Sequence, residues 1–209
     1  MISVCWAAKG GSGTTVVAAA MAISATAPTL LVDLAGDVPA VLGLPEPDGP
    51  GVFDWLASDA GASRLTALEL RADRHAAVLP SGHTSAVAPE RWDALATWLR
   101  GERRDVVVDA GSTGAPPPAI VRAADRALLV TRPCYLALRS AVRSTARPTG
   151  VVLVDEPGRA LRARDIEAGL GVPVVATVLL DPAIARAVDA GLLLARLPTV
   201  FRRAVRLAA

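Results

Sequence analysis

Only one of the chain's 22 basic residues is a lysine, and this residue, Lys9, opens the run Lys9-Gly10-Gly11-Ser12-Gly13-Thr14-Thr15. An apolar segment, Ile2 to Ala7, precedes the run and an alanine-rich segment from about Val16 follows it. Glycines allow positive φ, so that several amide groups can turn toward one anion, and a helix beginning there adds the positive end of its dipole. The chemistry this arrangement suits is the holding of a phosphate. A lysine kept inside such a loop, where every other cation is arginine, points to a geometric requirement for that side chain.

Two carboxylates close apolar runs downstream, Asp33 after Leu30-Leu31-Val32 and Asp109 after Val106-Val107-Val108. A carboxylate at the C-terminal end of a strand in an open α/β sheet lies where such folds place ligands, and as a hard oxygen donor it suits Mg²⁺. Asp37 has a different expected role, as the cap of a short helix beginning at Val38 with Pro39 in its first turn. His75 and His83 have no partners at metal-ligand spacing, no GxSxG elbow occurs, and the four tryptophans read as packing residues.

The elements that must position these groups follow from the hydrophobic pattern. Near-continuous apolar runs at Ile2–Trp6, Leu30–Val32, Ala77–Leu79, Val106–Val108, Leu128–Thr131, Gly150–Val154 and Val174–Val178 alternate with alanine-rich stretches. That alternation predicts an α/β fold with a mostly parallel sheet covered by helices on both faces. Helices are expected at about 15–26, 38–43, 51–58, 89–100, 116–125, 136–146, 161–170, 182–190 and 198–208. The most loop-like stretches, Pro45 to Gly51 and Gly111 to Pro118, are too short to divide domains, so one domain over 1–209 is expected.

A length of 209 residues with 52% hydrophobic content can bury a core without disulfides or structural metal. Cys5 and Cys134 fit no disulfide framework and no CxxC site, and read as packing residues in a reducing compartment. The first residues run straight into the glycine loop without a signal-peptide pattern, which leads to the expectation of a cytoplasmic protein. A net charge of +2 is too small to identify a nucleic-acid binder by itself.

The loop departs from the general pattern GxxxxGK[ST] twice, with Ala8 for the first glycine and Thr14 for the lysine. It resembles the variant loop KGGxGK[ST] of the ParA/MinD group of partitioning and positioning ATPases at every position but one. The resemblance implies binding of ATP and Mg²⁺, with Gly10, Gly11, Ser12, Gly13 and Thr14 around the phosphates. It further implies that Lys9 reaches across a nucleotide-sandwich homodimer to the partner's phosphates, and that Thr15 and Asp109 hold Mg²⁺. The lysine replaced by Thr14 neutralises phosphates within its own subunit, and losing such a charge-assisted contact costs roughly 1.5 to 3 kcal/mol.

Other segments extend the resemblance along nearly the whole chain. Asp33 matches the first aspartate of the group's strand-two motif, which places it near the magnesium and the reacting phosphate. The second aspartate, which polarises the attacking water, falls on Ala35, so hydrolysis is expected to be weak or absent. Leu180-Asp181-Pro182 matches a segment near the base, while Asp155-Glu156-Pro157 stands where the group often has an adenine-reading asparagine. Pilus-localising relatives of the TadZ/CpaE kind also depart from the standard loop.

The partners this implies are a second copy of the chain and a cargo or activator protein. Arg100, Arg103 and Arg104, with Arg139, Arg143 and Arg147 at four-residue spacing, could meet DNA phosphates nonspecifically or be solvated faces. From Val200 to Ala208, a helical plot separates Val200, Phe201, Ala204, Val205, Leu207 and Ala208 from Arg202, Arg203 and Arg206. Such a helix either lies on a membrane surface, as in MinD-type relatives, or packs on the sheet. A functional alternative to the nucleotide switch is a nucleotide-independent interaction scaffold.

Overall fold

The computed structural model describes residues 1–84, 87–112 and 114–208; Thr113, within the expected loop Gly111 to Pro118, lies outside the described residues. Its strands are β1 (Ile2–Trp6), β2 (Thr29–Asp33), β3 (Leu70–Arg71), β4 (Ala76–Leu79), β5 (Asp105–Asp109), β6 (Arg126–Thr131), β7 (Gly150–Asp155) and β8 (Val174–Leu179). They form one sheet in the order β3-β4-β2-β5-β1-β6-β7-β8. Every pairing is parallel except that of β3 with β4. The seven strands expected from apolar runs are all present, and β3 is the addition.

The helices are α1 (Thr14–Ser24), α2 (Val38–Leu42), α3 (Val52–Leu56), α4 (Arg91–Arg100), α5 (Pro118–Ala123), α6 (Tyr135–Val142), α7 (Ala163–Leu170), α8 (Pro182–Asp189), α9 (Leu193–Arg196) and α10 (Thr199–Arg206). A 3-10 segment, Ala62–Leu68, and α9 were not expected from the pattern. Conversely, α6 stops at Val142 rather than 146, because Arg143 closes it and the chain turns toward Pro148.

Alternating strand residues feed two apolar layers, as a sheet covered on both faces requires. Cys5, Leu31, Val107 and Leu128 pack with α1, α2 and α8 to α10. Val4, Trp6, Leu30, Val106 and Leu129 pack with α3 to α7. The sequence of α1, Thr-Thr-Val-Val-Ala-Ala-Ala-Met-Ala-Ile-Ser, has no polar face, and nine of its eleven residues are buried. A helix apolar all round needs cover on its outer side.

That cover is α10. Phe201, Val205 and Ala208 are buried in the same layer as α1, while Val200 and Leu207, at the margins of the predicted arc, remain exposed. Two arginines from the polar side close the C-terminal end of α1: Arg202 donates to the Ile23 carbonyl at 2.6 Å and Arg206 to the Ser24 carbonyl at 2.7 Å. The last carbonyls of a helix have no partner of their own, so these contacts both cap α1 and fix α10 on it. Of the two readings of this segment, the packed helix is the one observed. No described helix is long and apolar enough to cross a membrane.

Candidate functional site

The phosphate-type loop joins β1 to α1 at the C-terminal edge of the sheet. Gly13, the residue before α1, has φ 85° and ψ 25°, a left-handed conformation that glycine adopts without strain. Having no side chain, it offers the helix no cap. Ser12 pins the loop by donating its hydroxyl to the Lys9 carbonyl at 2.8 Å. Among the described residues, none of the seven backbone N–H groups from Gly10 to Val16 donates a hydrogen bond within the chain.

Six of these donors, from Gly11 to Val16, border a cleft of about 300 Å³ that Leu34, Ala35, Asp37, Gly111 and Ser112 also line. A hollow of about 350 Å³ at the opposite edge, beside Met1, Ser24 and Arg206, lies away from the strand ends where open α/β folds bind ligands. Backbone bonds lace the three strand ends under the cleft: Ala110 N–H to Cys5, Ala7 N–H to Gly111 and Leu34 N–H to Asp109. Gly111 has φ 65°, and a side chain there would lie 3.2 Å from the Ala35 Cβ, so the two loops touch where they wall the cleft.

Asp109 ends β5 beneath the cleft and is fully buried. Its Oδ1 accepts the Gly111 amide at 3.0 Å, while Oδ2 has no hydrogen-bond partner of normal geometry. Burial pushes its pKa up to about 6, against the lowering influence of the Thr15 side chain and the Gly111 amide. An orphaned, buried carboxylate oxygen beside a threonine hydroxyl at the rim of an anion cradle is the donor set a hard cation can use. No three His, Cys, Asp or Glu side chains among the described residues converge on a metal site, so phosphate oxygens or water must complete any shell.

Asp33, also fully buried, has a different occupation. Its Oδ1 accepts the Ala35 amide at 2.9 Å and the Gly36 amide at 2.7 Å, and its Oδ2 accepts the Val38 amide at 3.1 Å. Burial still raises its pKa despite these three donors. This corrects the expectation for Asp37, whose side chain makes no cap bond to α2. The reason is geometric: the loop folds back over the end of β2, which brings the earlier carboxylate within reach of the Val38 amide.

The other expected site residues are distributed around the cleft. Thr14, the first residue of α1, is almost fully buried and lines the cleft with a neutral side chain where a lysine would bring charge. Lys9 is exposed, outside the cleft lining, and makes no ion pair among the described residues; its charge, with the Ala137 and Leu136 amides ahead of it, lowers the Cys134 thiol pKa. Both cysteines were expected to pack: Cys5 is buried, whereas Cys134, at the start of α6, is only partly so. Pro182, exposed at the head of α8, follows β8, three strands from β1 and so roughly 14 Å across the sheet.

Among the surface arginines, Arg104 is committed to Glu69 by two bonds of 2.7 Å and to Glu102. Arg139, Arg143 and Arg147 are exposed without ion pairs among the described residues. The cleft residues missed by sequence reasoning are Val16, Leu34, Asp37, Gly111 and Ser112; the last two come two and three residues after Asp109, and that proximity was their available signal.

Comparison with protein-family models and with curated proteins finds no match. Solved structures do match over the whole chain. The cell-division ATPase MinD of Pyrococcus furiosus superposes with a TM-score of 0.79 at 22% identity, covering 100% of this chain and 97% of that one. MinD of Pyrococcus horikoshii OT3, solved with Mg-ADP, gives 0.78 at 20% identity over 100% and 95%. A ParA family ATPase from Chlorobium tepidum TLS gives 0.74 at 18% identity over 98% and 96%. The chain therefore has the fold of the ParA/MinD group of P-loop ATPases.

Proposed function

We propose that this chain binds Mg-ATP in the cleft between the 9–16 loop and the ends of β2 and β5, and that nucleotide drives it to dimerise as a positioning or partitioning protein. The observation that carries the reading is the row of seven amides from Gly10 to Val16 that have no partner among the described residues, together with the buried, half-unpaired carboxylate of Asp109 at the neighbouring strand end. Amides at a helix start hold the phosphates, and the Thr15 hydroxyl and Asp109 hold Mg²⁺, Asp109 through water. When bound, the metal supplies charge neutralisation for the phosphates. Lys9, exposed beside the cleft, is free to serve a partner's phosphates, and Pro182 lies on the side of the base.

Thr14 keeps the loop's shape and one hydroxyl but no charge, so turnover is slow, since stabilisation of the transferring phosphoryl oxygens is mainly electrostatic. A second reading, a scaffold that works without nucleotide, draws on this same substitution. A second chain and a cargo or activator protein are the partners; the exposed Arg139, Arg143 and Arg147 offer nonspecific contacts to DNA. The work place is the cytoplasm.

The test is the size of the particle with and without Mg-ATP, for the parent and for Lys9→Ala. The proposal expects dimers of the parent with nucleotide and monomers of the variant under the same conditions. ATP-driven dimerisation that survives loss of Lys9 would rule out its cross-subunit role, and a size indifferent to nucleotide would favour the scaffold.

A further inference from the structure

Among the described residues, Asp37 is the one carboxylate in the cleft lining. The cap of α2 is supplied by Asp33 through the Val38 amide, and the Asp37 side chain has no hydrogen-bond or ion-pair partner among the described residues. It is exposed to the cleft, opposite the start of α1. Its negative charge raises the proton affinity of both Asp33 and Asp109, which puts it within electrostatic reach of the buried pair. Asp109 lies two residues before Gly111 of the cleft lining, and its fully buried Oδ2 has no hydrogen-bond partner of normal geometry among the described residues.

Three negative side chains beside an anion cradle are unfavourable unless donors or cations come between them and the phosphates. A water between Asp37 and a terminal phosphate meets that need, and Asp37 is the carboxylate left free to orient it. Ala35, its neighbour in the cleft lining, has no group for this task.

We propose that Asp37 holds the water that attacks the terminal phosphate of a nucleoside triphosphate in this cleft and takes its proton, a role that rests on the nucleotide reading above. In the step, the water oxygen forms a bond to the γ-phosphorus while the bond from that phosphorus to the β,γ-bridging oxygen breaks. The electron pair of that bond leaves on the nucleoside diphosphate, and the water proton passes to Asp37 and from there to solvent. General-base assistance of this kind contributes on the order of 10² to 10⁴-fold. The chain thus keeps a slow hydrolytic activity despite the alanine at position 35.

The experiment compares the parent with Asp37→Asn, which preserves size, and Asp37→Ala. Three quantities are measured: Mg-ATP affinity by calorimetry, phosphate release in a single turnover, and affinity for Mg-ADP with fluoroaluminate, which mimics the phosphoryl group in flight. We expect both variants to bind Mg-ATP as tightly as the parent or more tightly, to release phosphate on the order of 10²-fold more slowly, and to lose the fluoroaluminate complex. Phosphate release by Asp37→Asn at the parent rate would overturn the proposal, as would a parent that binds Mg-ATP and never cleaves it, or equal losses in ground-state and fluoroaluminate affinity. A parent that fails to bind Mg-ATP would remove the nucleotide reading itself, and this proposal with it.

Discussion

Asp33 and Asp109 are register partners on the adjacent parallel strands β2 and β5, both fully buried at the strand ends whose following loops wall the cleft. Placing two carboxylates side by side without a cation raises the cost of ionising either, and each has a raised pKa in which burial is the largest cause.

This pair predicts an unusual stability profile for the protein without nucleotide. Between the ordinary aspartate value of 3.8 and about 6, the folded state binds the Asp109 proton that the unfolded chain has released. Stability therefore falls as pH rises through that window and stays lower above it, with Asp33 acting in the same direction. The full effect of Asp109 is bounded at about 3 kcal/mol by the size of its shift. Asp109→Asn, measured by denaturant unfolding without ligand, is expected to be more stable than the parent at pH 7 by about 1 to 3 kcal/mol and to gain nothing at pH 4. A variant no more stable at pH 7 would show that the buried charge carries no penalty.

Thr14 defines a second prediction. Thr14→Lys puts an ammonium at the start of α1, in the cleft that the amides from Gly11 to Val16 border. A charge-assisted contact to phosphate is expected to tighten Mg-ATP binding by about ten- to a hundredfold. No gain in titration would mean that the phosphates do not lie along α1.

The clamp between α10 and α1 gives a third. Phe201→Ala is expected to cost about 3 to 5 kcal/mol in unfolding free energy, because it opens a cavity in the layer that covers α1. Arg206→Ala, which leaves the Ser24 carbonyl at the end of α1 without this donor, is expected to cost about 1 kcal/mol. With the apolar face of α10 packed inward, the parent is expected not to sediment with anionic vesicles. Binding to them without loss of the native unfolding transition would contradict the packing seen here.

Most of the parallel strands were legible because they are buried on both faces and so read as apolar runs ended by a turn residue, as in Val106-Val107-Val108-Asp109. The loop was legible because glycines before an alanine-rich helix serve few other ends. Strand β3 has two residues, too few to show any period, and α9 is a single turn held by its neighbours. Which of two aspartates caps α2 was not legible either: local spacing favoured Asp37, whereas the path of the loop over β2 gave the Val38 amide to Asp33. That exchange moved Asp37 from a structural role into the cleft.

The central claim, that the 9–16 loop is a nucleotide site, is tested most directly by calorimetric titration of the parent chain with Mg-ATP and with Mg-ADP. The account predicts saturable binding of both, at about one nucleotide per chain, weakened when Mg²⁺ is withheld. Absence of binding at millimolar nucleotide, with the protein folded, would contradict it.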